Sequence, residues 1–158
     1  MSEKRICVIG AGNWGKNHIK TLRKLGALAG IVETDQTRCR EIQMEYPDIE
    51  IFNDVGRALE YNFDGFTVAT PAETHFQIGY RLLIAGYPVL IEKPLALNSK
   101  DAETLVDLDQ KKKNELLEFV KSMDRMPENV KDRLIKEINS GKVRLKTLRR
   151  LEKGMERN

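Results

Sequence analysis

Short apolar runs alternate with stretches of helical spacing along most of this chain. Ile6-Cys7-Val8-Ile9 is a continuous apolar run ending at Gly10, the pattern of a strand buried on both faces. Trp14, His18, Leu22 and Leu25 then recur at helical spacing, which predicts one buried helix face with His18 as a packing residue, stopped by Gly26. Leu28 to Val32 predicts a second strand, ending at Glu33. A helix follows from about Thr37 to Tyr46, closed by Pro47, with Asp35 at its start. Ile49 and Ile51 predict a short third strand, and Asp54 caps a short helix running to Leu59. Gly65 to Ala69 is a fourth strand, followed by a helix whose inner face is His75, Ile78, Gly79 and Leu82, closed by Gly86. Val89 to Ile91 is a fifth strand. Asn98 or Ser99 caps a helix carrying Ala102, Leu105 and Val106, with Lys111–Lys113 at its C-terminus, and Leu116 to Val120 fits a sixth strand. Val130, Leu134, Ile135 and Ile138 form an amphipathic stripe near residues 128–139.

Strands and helices alternating in this way predict βαβ units on a parallel sheet, an α/β doubly wound Rossmann-type fold with a helical C-terminal extension. The expected division is an α/β domain at 1–120 and a helical, basic extension at 121–158. At 158 residues the chain is about one domain long, with no room for a second full domain.

Composition changes this picture little. The chain is 41% apolar and 32% charged, as in a soluble globular protein. The net charge of +3 hides an asymmetry, because residues 142–158 hold seven Lys/Arg against two Glu. We read that basic stretch as a solvated terminus and expect no nucleic-acid partner. No apolar stretch is long enough to span a bilayer, and the polar start, Met1 to Arg5, runs straight into a strand with no signal-peptide pattern. Cys7 and Cys39 are unclustered, so no metal site is expected and a reducing cytoplasm suits the chain.

Candidate chemistry starts at Gly10-Ala11-Gly12-Asn13-Trp14-Gly15, which fits G-x-G-x-x-G between a strand and a helix. Gly10 permits the tight turn, Gly12 lets a pyrophosphate approach the backbone, and Gly15 lets the helix pack closely on the strand. Asn13 and Trp14 open the helix whose free N–H groups face the phosphates. Glu33, at the end of the second strand, can accept hydrogen bonds from the adenosine ribose and would repel a 2′-phosphate. The expected cofactor is therefore NAD rather than NADP. Arg38, one helix turn on, is read as a surface arginine. Ligands of open α/β sheets lie beyond the carboxyl ends of the strands. The segments 68–75 and 91–96 both stand at such ends and join the candidate cofactor site, Ala69 and Glu92 among them.

Three segments in order, residues 10–18, 69–75 and 92–96 (Glu-Lys-Pro-Leu-Ala), closely resemble the glucose-fructose oxidoreductase / inositol dehydrogenase (Gfo/Idh/MocA) family, over roughly residues 4–115. The resemblance implies an N-terminal Rossmann domain that is followed in such enzymes by an α/β substrate domain, and hydride transfer between NAD(P) and a sugar or polyol hydroxyl. It places Lys93 beside the nicotinamide and the reacting hydroxyl as the catalytic candidate, with Thr70, Pro71 and His75 around the nicotinamide half. Beyond that stretch the pattern departs. Val120-Lys121 stands where the family has Gly-His, and Arg125-Met126 stands where an aromatic-His pair precedes a proline, here Pro127.

The leading expectation is thus an NAD(H)-binding domain of a truncated oxidoreductase homologue with little or no activity alone. Two alternatives stay open. One is an active NAD-dependent sugar or polyol dehydrogenase, acting on CH–OH groups, whose substrate walls come from another chain. The other is an interaction module with a vestigial nucleotide site. The amphipathic stripe and the alternating Val143/Leu145 segment predict a homodimer through about residues 115–150.

Overall fold

Five short strands, the central ones apolar and buried on both faces, assemble into one parallel sheet in the computed structural model, which describes residues 4–122 and 127–140. The strands are β1 (Ile6–Ile9), β2 (Leu28–Val32), β3 (Glu50–Phe52), β4 (Gly65–Val68) and β5 (Val89–Ile91). Their order across the sheet is β3-β2-β1-β4-β5. β1 therefore sits between β2 and β4, with Ile6 opposite Leu28 on one side and Gly65 on the other. The helices are α1 (Asn13–Lys24), α2 (Gln36–Glu45), α3 (Val55–Leu59), α4 (Ala72–Ile84), α5 (Ser99–Lys121) and α6 (Glu128–Asn139).

Side chains alternate across β1 and feed two apolar layers. Cys7 and Ile9 join Phe52, Ala58, Phe63, Phe66 and Leu82 on the α3/α4 side. Val8 joins Ile19, Ile31, Ile42 and Ile49 on the α1/α2 side. Helices on both faces of a parallel sheet are the doubly wound arrangement expected. β5 ends the sheet, and its Leu90 is 54% exposed.

Local signals set most boundaries. Asp35 caps α2 by accepting from the Arg38 N–H at 2.8 Å. Asp54 caps α3 through the Gly56 and Arg57 N–H groups. Asn98 accepts from the Asp101 N–H at the start of α5. Gly26 and Gly86, which close α1 and α4, have φ of 65° and 81°.

Three expectations are corrected. The inner face of α1 is Gly15, Ile19 and the half-buried Leu22, one residue out of phase with the predicted face. Trp14 and Leu25 are 60% and 72% exposed. Only the side-chain-free Gly15 can meet the glycine turn beneath it, and this contact sets the rotation of the helix. Leu116 to Val120 is not a sixth strand but the last turns of α5. Leu116 and Val120, one helical repeat apart, pack with Leu134 and Ile138 of α6. Lys, Gln, Glu and Leu around them are good helix formers. Lys111–Lys113 accordingly lies within α5 rather than at its end, with Lys112 paired to Glu115 at 3.2 Å. The Val143/Leu145 segment and the basic terminus lie outside the described residues.

The chain divides into two compact units, Met1–Leu105 and Val106–Asn158. The sheet and the site described next belong to the first. Among the described residues no helix is long and apolar enough to cross a membrane, and no group of three or more His, Cys, Asp or Glu could hold a metal ion.

Candidate functional site

A cleft of about 840 Å³ opens at the carboxyl ends of the strands, where the chain direction splits between β1 and β4. Crevices at such switch points are where doubly wound sheets bind ligands. Eleven of the twelve residues singled out in the sequence line it: Gly10, Gly12, Asn13, Trp14, Glu33, Ala69, Thr70, Pro71, His75, Glu92 and Lys93. Gly15, the twelfth, lies beneath the loop. Asp54, Val55, Ile78 and Arg81 also line the cleft. The first two follow β3 and fall under the same strand-end rule. Ile78 and Arg81 lie further along α4, and no local signal in the sequence marks them.

The glycine loop is shaped by contacts that side chains would forbid. Gly10 has φ of 89°, and a Cβ there would stand 2.9 Å from the Ala69 carbonyl oxygen. A Cβ on Gly15 would lie 1.9 Å from the Gly10 carbonyl oxygen. Gly12 differs, since a Cβ there would meet nothing within 4 Å. Gly12 is also the N-cap of α1, with no side-chain cap and no acidic residue in the first turn. The first N–H groups of α1 are thus left without a side-chain partner beside open space, a site suited to a phosphate. The glycine cradle and the cleft around it fit a dinucleotide.

Glu33 stands at the end of β2 and is 5% exposed. Its Oε2 accepts from the Ala11 N–H at 3.0 Å and from Arg38 Nη1 at 3.1 Å. Its Oε1 accepts from the N–H groups of Thr34 at 2.8 Å and Asp35 at 2.9 Å. Burial pushes this carboxyl up, but the Asp35 and Ala11 amides and the Arg38 guanidinium outweigh it and hold its pKa below the ordinary value. Glu33 therefore braces the glycine loop as well as facing the cleft. Arg38 is a partner of Glu33 and lines the cleft, which corrects its reading as a plain surface residue. Its guanidinium is drawn to a carboxylate one helix turn away, a pairing that helix spacing alone does not reveal.

At the other end, Thr70 and Pro71 follow β4, and Glu92 and Lys93 follow β5. Their loops extend the ladder by one bond each, from Ala69 N–H to the Ile9 carbonyl and from Glu92 N–H to the Val68 carbonyl. Thr74 Oγ1 bonds Thr70 Oγ1 at 2.7 Å. His75 is fully buried, with Nδ1 2.7 Å from the Pro94 carbonyl oxygen and Nε2 2.8 Å from that of Thr70. His18 is not the packing residue expected. It is half-buried, and its Nε2 lies 2.6 Å from Glu92 Oε1. The hydrogen bond from His18, outweighing desolvation, holds the Glu92 carboxyl below its ordinary pKa. No local signal marks this pair, because the two residues are 74 positions apart.

Comparison with known proteins agrees with this geometry. Residues 4–119 match the Gfo/Idh/MocA family, described as an oxidoreductase family with an NAD-binding Rossmann fold. The chain is 29% identical over 117 residues to the UDP-N-acetylglucosamine 3-dehydrogenase of Acidithiobacillus ferrooxidans, covering 71% of this chain and 35% of that protein. It is 32% identical over 111 residues to an inositol 2-dehydrogenase of Corynebacterium glutamicum, covering 68% and 33%. Among solved structures it superposes on the WlbA dehydrogenase of Bordetella pertussis, determined with NADH and UDP-GlcNAcA. The TM-score is 0.65 and the identity 26%, over 69% of this chain and 34% of that one. The Acidithiobacillus enzyme has also been solved and gives a TM-score of 0.64 at 31% identity, over 70% and 36%. The chain thus spans about a third of the length of these relatives. By its glycine loop, its sheet order and the matched stretch that contains both, the chain belongs to the Gfo/Idh/MocA oxidoreductase family through that family's NAD-binding Rossmann domain.

Proposed function

We propose that the cleft binds a nicotinamide dinucleotide, NAD(H) in preference to NADP(H). The pyrophosphate would lie on the glycine loop, the adenosine ribose by Glu33 and the nicotinamide beside Lys93. The observation that carries this reading is the uncapped start of α1 behind Gly12, where donors without a side-chain partner meet space that a Cβ would fill. The relative solved with NADH supports the same class of ligand. The ionised, buried Glu33 supports the preference, because a 2′-phosphate would stand against a carboxylate. Arg38 tempers it by neutralising part of that charge.

Bound nicotinamide would supply or accept a hydride, and the likeness to sugar and polyol dehydrogenases favours oxidoreduction at CH–OH groups. Lys93, exposed at the cleft, is the candidate catalytic residue, with a cationic head able to donate a hydrogen bond to the reacting oxygen. Ala69, Thr70, Pro71 and His75 would shape the nicotinamide half. We read turnover by the chain alone as slight, since the described residues form a cofactor site and the matched stretch covers about a third of the relatives. We keep residues 1–120 as the dinucleotide-binding domain and 121–158 as the helical extension, with all five strands inside the compact unit Met1–Leu105. The buried Cys7 and half-buried Cys39 are both free thiols, which suits the cytoplasm. A homodimer through residues 115–150 draws support from Val130, still 39% exposed on α6.

Trp14 is the only tryptophan and lines the cleft, so its emission tests the reading. NADH should quench it, NADPH more weakly. Unchanged emission at millimolar NADH in folded protein would refute cofactor binding and leave an interaction module with a vestigial site. Turnover over a polyol panel, alone and with partner chains, separates an inactive domain from a subunit completed by another chain.

A further inference from the structure

Lys93 is exposed, and its side chain makes no hydrogen bond or ion pair among the described residues. The Glu92 carboxylate acts on its charge from a distance, but no bond holds the ammonium end. Its placement must come through the backbone, and hence through the residues on either side. The chain has two histidines. Both act on those two neighbours.

We propose that His18 and His75 are positioning residues for Lys93, His18 gripping the side chain of Glu92 and His75 the carbonyl of Pro94. The proposal rests on the reading of the cleft as a dinucleotide site with Lys93 at its reacting end.

On the upstream side, the Glu92 carboxylate is bound at both oxygens. Oε1 meets His18 Nε2 at 2.6 Å, and Oε2 accepts from the Lys93 N–H at 3.3 Å. One carboxylate thus ties the Lys93 amide to a ring on α1. His18 is one helical turn beyond Trp14, so the tie runs from the helix that opens at the glycine loop to the loop that carries Lys93. On the downstream side, His75 joins the loop after β5, at Pro94, to the loop after β4, at Thr70. Both of its partners are carbonyl oxygens, which accept and cannot donate. The ring thus stands within hydrogen-bond distance of both loops at once, and its N–H donates to one of them.

The two clamps differ in their surroundings. His75 is 1% exposed, so its bonds are shielded and can act as a rigid strut. The His18–Glu92 pair is about a quarter exposed on the His18 side, where water competes. The second is the adjustable one. It connects phosphate and nicotinamide ends of the cleft through α1, so occupancy of the glycine loop would be felt at Lys93.

The test is built around His18, whose replacement should leave the fold intact. Amide hydrogen exchange over residues 92–96 is measured in ligand-free wild type, His18→Ala and His18→Gln. Loss of the tie should speed exchange at Lys93 about ten-fold, and the glutamine amide, which can still donate to Glu92, should restore most of the protection. Equal exchange in wild type and His18→Ala, or no rescue by His18→Gln, overturns the His18 half. Limited acylation of lysines, mapped by peptide mass spectrometry with Lys16 and Lys20 as internal references, is then run with and without NADH. NADH should shield Lys93 in wild type and His18→Gln and much less in His18→Ala, with Trp14 quenching alike in all three. Equal shielding in all three again overturns it. Absent quenching in wild type instead refutes the cofactor reading, while the ligand-free exchange still judges the clamp. For His75, proton–nitrogen spectra should show a ring N–H in slow exchange with water, assigned by comparison with His18→Gln. A His75 ring with no protected N–H would overturn the His75 half.

Discussion

Gly12 and Gly15 stand three residues apart in one loop, yet alanine should harm them in opposite ways. At Gly15 the added Cβ would lie 1.9 Å from the Gly10 carbonyl oxygen, where real Cβ atoms stay beyond about 3.0 Å. The obstacle is backbone on one side and a helix on the other, so α1 must move by more than about 1 Å relative to the turn. Overpacking of this kind costs about 1–3 kcal/mol, and a forced backbone shift brings it to the upper end. Alanine returns about 1 kcal/mol in helix propensity. The net expectation is a loss of about 2 kcal/mol, with cofactor affinity falling because the loop moves. At Gly12 the Cβ meets nothing, and φ of −68° suits any residue. Alanine is a poorer N-cap than glycine by several tenths of a kcal/mol, and the stiffer unfolded chain offsets this by about 0.4–1 kcal/mol. Stability should stay within about 0.5 kcal/mol, while the methyl group takes space meant for the pyrophosphate and NADH binding collapses. Urea unfolding followed by circular dichroism, paired with Trp14 quenching by NADH, reads both quantities. Equal stability losses in the two variants, or a Gly15→Ala protein as stable as wild type, would refute the reasoning.

Further outcomes follow from the same site. Glu33→Gln should destabilise the domain by about 1–3 kcal/mol at neutral pH, because the carboxylate braces Ala11, Thr34 and Asp35. The folded pKa of Glu33 is depressed, so its contribution is present above the unfolded value near 4.5 and lost as pH falls through the folded one. Wild-type and Glu33→Gln stability curves should converge on acidification, and a constant offset from pH 7 to pH 3 would contradict the assignment. Arg38→Ala should widen the preference for NADH over NADPH, read as the ratio of quenching constants. An unchanged ratio would remove Arg38 from cofactor discrimination. Light scattering should report a dimer for the full chain and a monomer for a version ending near Lys113, and a monomeric full chain would end the dimer reading.

The parts of the fold most legible in the sequence were those with a strong local cause. A run such as Ile6–Ile9 is apolar at every position because both faces are buried. Asp35, Asp54 and Gly86 act on backbone within a few residues of themselves. The glycine loop was legible for the same reason, since each glycine answers a nearby steric demand. What escaped depended on distant partners. The phase of α1 is set by Gly15 seating on Gly10, so Trp14 turned outward although its spacing fitted an inner face. Leu116–Val120 resembled a strand until α6 supplied apolar partners at helical spacing. His18 found a carboxylate 74 positions away, and Arg38 one five positions back across a strand end, neither of which hydropathy foresees.

The position of β1 in the middle of the sheet has a kinetic consequence. Its pairing with β2 closes after one helix, and β3 then adds beside β2. Its other edge must wait for β4, which follows two further helices and the third strand. Long loops close late, because their chain entropy is lost before the contact rewards it. A nascent chain can therefore assemble β1, β2 and β3 while one edge of β1, with the Ile9 carbonyl later met by Ala69, remains open to solvent and to neighbours. Pulse-labelled exchange during refolding should show the β1–β2 amides protected before those joining β1 to β4. The glycine loop, which leans on Ala69, would reach its final shape only in the second stage, so capacity for ligand should appear later than most of the secondary structure.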